Sequence, residues 1–311
     1  MGDASPWTRS DVARALNALE ADPSDGPRSP AGAAVLDRAF GAWRPSCRVV
    51  GLTGPPGVGK STLAGRLVAG WCQAGLTVGV LCVDPSSRDS GGALLGDRLR
   101  MRLSGADDRV FVRSMAARDR LGGLAPMTLE AILVMGAAFD RVLVETVGVG
   151  QSETDVSTTA DVTVVVVQPG SGDALQFVKA GLMEVFDLLV VNKADLGAIA
   201  DAAARELRHA LRVRGRREAP VLLTAAEDDR GIGELALAID RAWEGRGDHQ
   251  ARRLAALRTS VVRRFVDWYG RRHAARLGGS KRLVATLGGL PADAPPSRWW
   301  QILEGLDAGA M

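Results

Sequence analysis

Gly54-Pro55-Pro56-Gly57-Val58-Gly59-Lys60-Ser61 constrains this chain more than any other stretch. It fits G-x-x-x-x-G-K-[ST], the phosphate-binding loop. The apolar run Val49 to Leu52 leads in as a strand, and Leu63 to Trp71 follows as a helix. In that context the glycines let the backbone wrap a triphosphate and turn N–H groups inward. The new helix adds the positive end of its dipole. Lys60 is then expected to reach the β- and γ-phosphates and Ser61 to hold Mg²⁺, with Thr62 completing the phosphate-binding set.

The chain of 311 residues is long enough for one large α/β domain with helical additions. Apolar residues make up 46%, which excludes a disordered chain, and a net charge of +3 is too small to argue for nucleic acid as the partner. No apolar run is long enough to span a bilayer, so no membrane role is expected. The start, Met1-Gly2-Asp3-Ala4-Ser5-Pro6, carries no signal-peptide pattern. Cys47, Cys72 and Cys82 show no paired spacing and sit beside expected core elements. They read as buried thiols of a cytoplasmic protein.

Lysine is scarce. Of 39 basic residues only Lys60, Lys179, Lys193 and Lys281 are lysine. Where arginine is the default cation, a lysine marks a position that needs a compact ammonium. All but Lys281 fall in stretches assigned to the nucleotide on other grounds.

The order of elements gives the fold class: an α/β P-loop NTPase, with a mainly parallel sheet flanked by helices. Strands are expected at 48–53, 77–84, 110–114, 141–145, 161–168, 188–192 and 220–224. Helices are expected at 60–73, 127–138, 173–184, 199–213 and 232–243. Val162 to Val167 is nearly all β-branched and apolar, the pattern of a strand covered on both faces. Residues 1–45 read as an N-terminal helical extension, with one helix capped near Thr8 to Asp11 and a second over 31–40. Residues 46–245 form the nucleotide domain and 246–311 a C-terminal helical arm. There, 250–277 reads as one long helix with an apolar stripe of Leu254, Leu257, Val261, Phe265 and Trp268, and arginines on its other faces. An arginine run is a solvated face in the first instance, then a surface for an acidic partner, then for RNA.

Ligands of such a sheet bind beyond the carboxyl ends of its strands, where the remaining motifs fall. Asn192-Lys193-Ala194-Asp195 fits N-K-x-D. The Asp195 carboxylate can accept both N1–H and the exocyclic amine of guanine, a donor pair that adenine lacks. Asn192 is expected at the base edge and the Lys193 stem along the ring. Glu145-Thr146-Val147-Gly148 places a carboxylate toward Mg²⁺ and a Gly148 N–H toward the γ-phosphate, so 146–153 is a natural switch. Asp84 and Asp97 are further Mg²⁺-side carboxylates, and Asp97 could equally cap a helix. Lys179 could lie near the phosphates in a closed state or simply on a helix surface.

Together "GLTGPPGVGKST", "VDPSSRDSGGALLGDRLRM", "LGGLAPMT", "RVLVETVGVGQSE", "GDALQFVKAG" and "VVNKADL" resemble the MeaB/ArgK family of P-loop GTPases over roughly residues 48–240. The resemblance implies a GTP-binding and GTP-hydrolysing chaperone of an adenosylcobalamin-dependent acyl-CoA mutase, of the methylmalonyl-CoA mutase type. Such a protein gates cofactor loading and protection, with GTP/GDP and Mg²⁺ bound, as a homodimer. It also implies catalytic roles for Lys60, Glu145 and Lys179. Ser61, Asp84, Asp97 and Glu145 become the metal positions, and Asn192, Lys193 and Asp195 the base site. Lys179 matches a lysine of the family's third switch loop. The family's Ser-Ala pair near the base is Ala225-Ala226 here, and a second lysine after the switch lysine is Ala180. The region beyond about 245 matches poorly, so its apolar stripe is either a dimerisation arm or core packing.

Other classes make different predictions. A kinase, as the ArgK label suggests, would prefer ATP. A metal-delivery GTPase would carry His-rich or paired-Cys tracts, and His209, His249 and His273 are scattered. An RNA-linked GTPase would bind through the basic helix in a salt-sensitive way.

Overall fold

The computed structural model describes residues 7–21, 29–84, 108–116, 127–146, 152–170, 186–216 and 219–308. These divide into two compact units. One takes Arg48–Thr128 with Phe139–Gly247; the other takes the chain up to Cys47, Leu129–Ala138, and everything from Asp248 onward.

The first unit is organised by its strands. They are β1 (Arg48–Thr53), β2 (Val78–Asp84), β3 (Val110–Ala116), β4 (Arg141–Thr146), β5 (Val162–Val167), β6 (Leu188–Val191) and β7 (Val221–Leu223). All seven pair in parallel, in the order β3-β2-β4-β1-β5-β6-β7. Every residue of β5 is buried, as its unbroken β-branched run requires. Its side chains alternate between two cores, as strand geometry dictates. Val162, Val164 and Val166 pack with helix α3 (Lys60–Gln73) and helix α7 (Ile232–Glu244). Val165 and Val167 pack with helix α6 (Ala198–Val213). This is the expected parallel sheet between helices, and β1 and α3 begin and end at the residues the pattern gave. The expected helix at 173–184 lies outside the described residues.

Two glycines set how the elements meet. A Cβ on Gly51, in the middle of β1, would collide with Val156 of helix α5 (Ser152–Thr159). Gly54 turns the chain out of β1 with φ 144°, and a Cβ there would run into the Val166 carbonyl of β5. Far from that turn, Asp161 and Asp187 close the other end of the sheet. Asp161 accepts from Val49 N–H at 2.7 Å, and Arg246 pairs with Asp187 while donating to the Asp161 carbonyl.

The second unit is helical: α1 (Arg9–Ala21), α2 (Pro30–Ala42), most of α4 (Thr128–Ala138), α8 (His249–Tyr269), α9 (Arg271–Arg276), α10 (Gly279–Gly288) and α11 (Pro296–Ala308). Thr8 and Asp11 form a reciprocal cap at the start of α1. Asp11 accepts from Thr8 N–H at 2.9 Å and Oγ1 at 2.6 Å, while Thr8 Oγ1 accepts from Asp11 N–H. Trp299 is fully buried, with Phe40 edge-on at 5.6 Å.

The C-terminal region differs from its expected form. The helix over 250–277 is broken: Gly270, at φ 88° and ψ 153°, ends α8 and starts α9. That backbone is one glycine alone adopts readily, so Gly270 breaks the helix just after the stripe ends at Trp268. Leu257, Val261 and Phe265 are buried within this chain, whereas Trp268 is 46% exposed and leaves the stripe. Nor are the arginines one solvated face. Arg252, Arg263, Arg271, Arg272 and Arg276 are exposed, but Arg258 is buried, donating to Leu290 and Pro291 carbonyls at 2.9 and 3.0 Å. Burial pulls its pKa down from the usual guanidinium value. Arg264 faces the buried Glu130 of α4 at 3.2 Å, and Arg253 lies over Trp43.

Candidate functional site

Residues 54–60 lie between the carboxyl end of β1 and the first turn of α3. Gly57 and Gly59 have φ of 78° and 90°, so the loop coils in a way that side chains oppose. Lys60 is buried, and its Nζ donates back to the Gly54 and Pro55 carbonyls at 2.7 Å each. The ammonium therefore crosses the loop, held in place by two backbone carbonyls.

Register brings Glu145 beside the loop, because Leu52 of β1 pairs with Glu145 of β4. Ser61 Oγ donates to Glu145 Oε1 at 2.7 Å, and Glu145 is fully buried. A hydroxyl and a carboxylate side by side are hard oxygen donors of the kind Mg²⁺ takes. The residues present thus fit that ion. Thr146, next on β4, donates to Thr53 Oγ1 at 3.2 Å and joins the two strand ends.

The expected base segment follows β6. Asn192 is buried and uses both ends of its amide on the protein. Nδ2 donates to the Val58 carbonyl at 2.9 Å; Oδ1 accepts from Thr224 Oγ1 at 3.0 Å and from Ala226 N–H at 3.2 Å. Asn192 is thus a clamp between the phosphate loop and the segment after β7. Lys193 takes the left-handed conformation, φ 60°, and its Nζ donates to the Gly57 carbonyl at 2.9 Å and Gln168 Oε1 at 2.6 Å. Asp195 stands exposed in the 3₁₀ turn Ala194–Leu196. Ala225 and Ala226 are buried, in a short turn that closes with Ala225 N–H on the Arg230 carbonyl at 3.0 Å.

The structure thus brings Lys60, Ser61, Glu145, Asn192, Lys193, Ala225 and Ala226 to one end of one sheet. Asp97, Gly148 and Lys179 lie outside the described residues, as does the side chain of Asp84, the last residue of β2. Sequence reading missed Arg66 of α3, which donates to the Ala226 and Glu227 carbonyls at 3.0 and 3.1 Å. In a chain this rich in arginine, nothing set that residue apart.

A model of the family described as methylmalonyl-CoA mutase-associated GTPase MeaB matches residues 12–267. The chain belongs to the MeaB family. Relatives with GTPase names agree. A Pyrococcus abyssi protein described as a GTPase is 50% identical over 194 residues, 60% of each chain. The GTPase ArgK of Escherichia coli is 36% identical over 272 residues, 84% of this chain and 78% of that one. The mitochondrial methylmalonic aciduria type A homolog of Mus musculus is 37% identical over 214 residues, 67% of this chain and 50% of that one. This MeaB-family chain spans about three fifths of the length of the Pyrococcus abyssi relative. Among solved structures, one described as a LAO/AO transport system kinase covers 97% of it, with 25% identity and a TM-score of 0.60. The nickel-bound HypB of Helicobacter pylori, 17% identical over 68% of it at a TM-score of 0.50, shares the fold. The fold is accordingly that of P-loop NTPases, as the phosphate loop implied.

Proposed function

We propose that this chain binds and hydrolyses GTP, and that its nucleotide state governs a chaperone's hold on an adenosylcobalamin-dependent acyl-CoA mutase. The observation that carries the nucleotide reading is the Asn192 clamp: one buried amide joins the phosphate loop to the segment expected to read the base. Nucleotide recognition and phosphate binding are then parts of one rigid frame.

In this reading Lys60, already stretched across the loop, exchanges its carbonyl partners for phosphate oxygens. Ser61 and Glu145 would hold Mg²⁺, which neutralises charge on the phosphates when bound. Lys193, fixed at its ammonium by Gly57 and Gln168, presents its aliphatic stem to the base. Asp195, exposed at the rim, accepts the two guanine donors, which makes ATP the poorer ligand. Asp84, Asp97, Gly148 and Lys179 complete the proposed set on the metal and γ-phosphate side.

The family's name and the methylmalonic aciduria relative support this choice of client, and a homodimer is the assembly the family resemblance implies. GTP turnover measured with and without purified methylmalonyl-CoA mutase tests the proposal. A partner-dependent change in rate is expected, and an unchanged rate with any acyl-CoA mutase would overturn the chaperone reading. Equal affinity for GTP and ATP would overturn the guanine reading and favour a kinase.

A further inference from the structure

The segment after β7 is tied to its neighbours through side chains and backbone alike: Thr224 Oγ1 donates to Asn192 Oδ1 at 3.0 Å, and Glu227 accepts from Thr62 Oγ1 at 3.4 Å. Ala225 and Ala226 stand at its start, and the turn closes on itself through Ala225 and Arg230. Its closure also depends on Gly231, at φ 75°, where a Cβ would collide with the Leu223 carbonyl. Its backbone at Ala226 and Glu227 is held by two side chains from outside the segment. Asn192 takes the Ala226 N–H. On the other side of the same residue, Arg66 Nε donates to the Ala226 carbonyl, and its terminal nitrogen donates to the Glu227 carbonyl.

These bonds close a ring. The Val58 carbonyl accepts from Asn192, Asn192 accepts from Ala226, and Ala226 accepts from Arg66. Arg66 stands on α3, less than two turns from Lys60, so the ring returns to the phosphate loop through one helix. A planar guanidinium meets two successive carbonyls with a fixed fork, and so sets both the distance and the tilt of the turn. An alkyl ammonium at the same place would fix only one. Asp229, at φ 57°, brings its carboxylate to 4.0 Å from Arg66 Nε and adds charge to the grip.

We infer that Arg66 is a positioning residue for the base: it sets guanine affinity by locking the turn at 225–230 to the helix that follows the phosphate loop. This rests on the guanine-nucleotide reading of the site. Arg66 touches neither phosphates nor base in this account, so its loss separates the two halves of the ligand. Affinity for what is common to GDP and ADP is retained; the preference between them is not.

The experiment compares GDP and ADP binding by calorimetry in the full chain, for the unchanged protein, Arg66→Ala, Arg66→Lys and Asp195→Ala. Arg66→Ala is expected to weaken GDP by about tenfold, the value of two lost hydrogen bonds, with ADP affinity held within about twofold. Arg66→Lys recovers less than half of the loss on a logarithmic scale. Should the alanine variant misfold, the lysine variant carries the test by itself, because it keeps charge and stem and lacks only the fork. GDP affinity unchanged in both Arg66 variants, or GDP and ADP weakened by equal factors, would overturn the inference. Asp195→Ala tells the two failures apart. If it abolishes the GDP preference while the Arg66 variants keep it, only the role of Arg66 falls. If it leaves the preference intact, the guanine reading falls and the inference with it.

Discussion

Ser61 and Glu145 are 84 positions apart in the chain, yet the hydroxyl of one donates to the carboxylate of the other at 2.7 Å. The parallel pairing of β1 with β4 delivers that contact, since Leu52 and Glu145 are register partners. The contact between the two side chains is thus a consequence of sheet order.

Glu145→Gln keeps the shape of the side chain and removes its charge. Magnesium-dependent GTP turnover is expected to fall by about 10- to 100-fold, the usual cost of weakening a metal's carboxylate partner. Titrating Mg²⁺ at saturating GTP checks it: the half-saturating Mg²⁺ concentration rises in the variant, and an unchanged value would rule out a metal-side role.

Gly59→Ala strikes the clamp rather than the metal. The residue sits at φ 90°, and an added Cβ would lie 2.5 Å from Asn192 Nδ2. Left-handed strain costs about 1–2 kcal/mol before that clash is counted. GDP affinity is expected to fall by at least about tenfold, read by calorimetry. Gly57→Ala shares the positive φ but has open space around it, so it should lose less.

Acid should loosen α1 only at low pH. Hydrogen bonds from the Thr8 hydroxyl and backbone, aided by Arg14, hold the Asp11 carboxyl at about 2, below its ordinary 3.8. A depressed folded-state value means the cap contributes fully above about pH 4 and is lost as pH falls toward 2. A carboxyl-carbon NMR titration should give an Asp11 midpoint near 2, and Thr8→Ala should move it up toward the ordinary value.

Arg258→Ala leaves the Leu290 and Pro291 carbonyls without their donor beneath a buried Trp299. A loss of about 3 kcal/mol in unfolding free energy is expected, from two charge-assisted bonds and the packing of the side-chain stem. Urea denaturation measures it. A change under about 0.5 kcal/mol would return Arg258 to the class of surface arginines.

Where side chains repeat with the period of their element, the sequence was readable. The β-branched run of β5 and the loop between β1 and α3 declared the parallel sheet and the fold class together. Long-range contacts were not readable in the same way. Asn192 was legible as part of N-K-x-D, but not as a donor to Val58, because its partners come from the phosphate loop and from β7. Arg66 left no signal at all, since its contacts are to backbone carbonyls that no residue type announces. The break at Gly270 was hidden because a lone glycine within a helical pattern is compatible with a continuing helix, and Arg258 because one arginine in a row of arginines looks like the rest.

The helical unit is assembled from three separate pieces of chain: its beginning, Leu129–Ala138, and its end. During synthesis, that middle helix leaves the ribosome well over a hundred residues ahead of Arg264, the partner of its Glu130. Ile132, Leu133, Val134 and Met135 are all buried in the finished protein. A nascent chain stalled near residue 247 would therefore lack α8 to α11 and the arginine that faces Glu130, and a stop codon there should yield a product prone to clumping and to proteolysis.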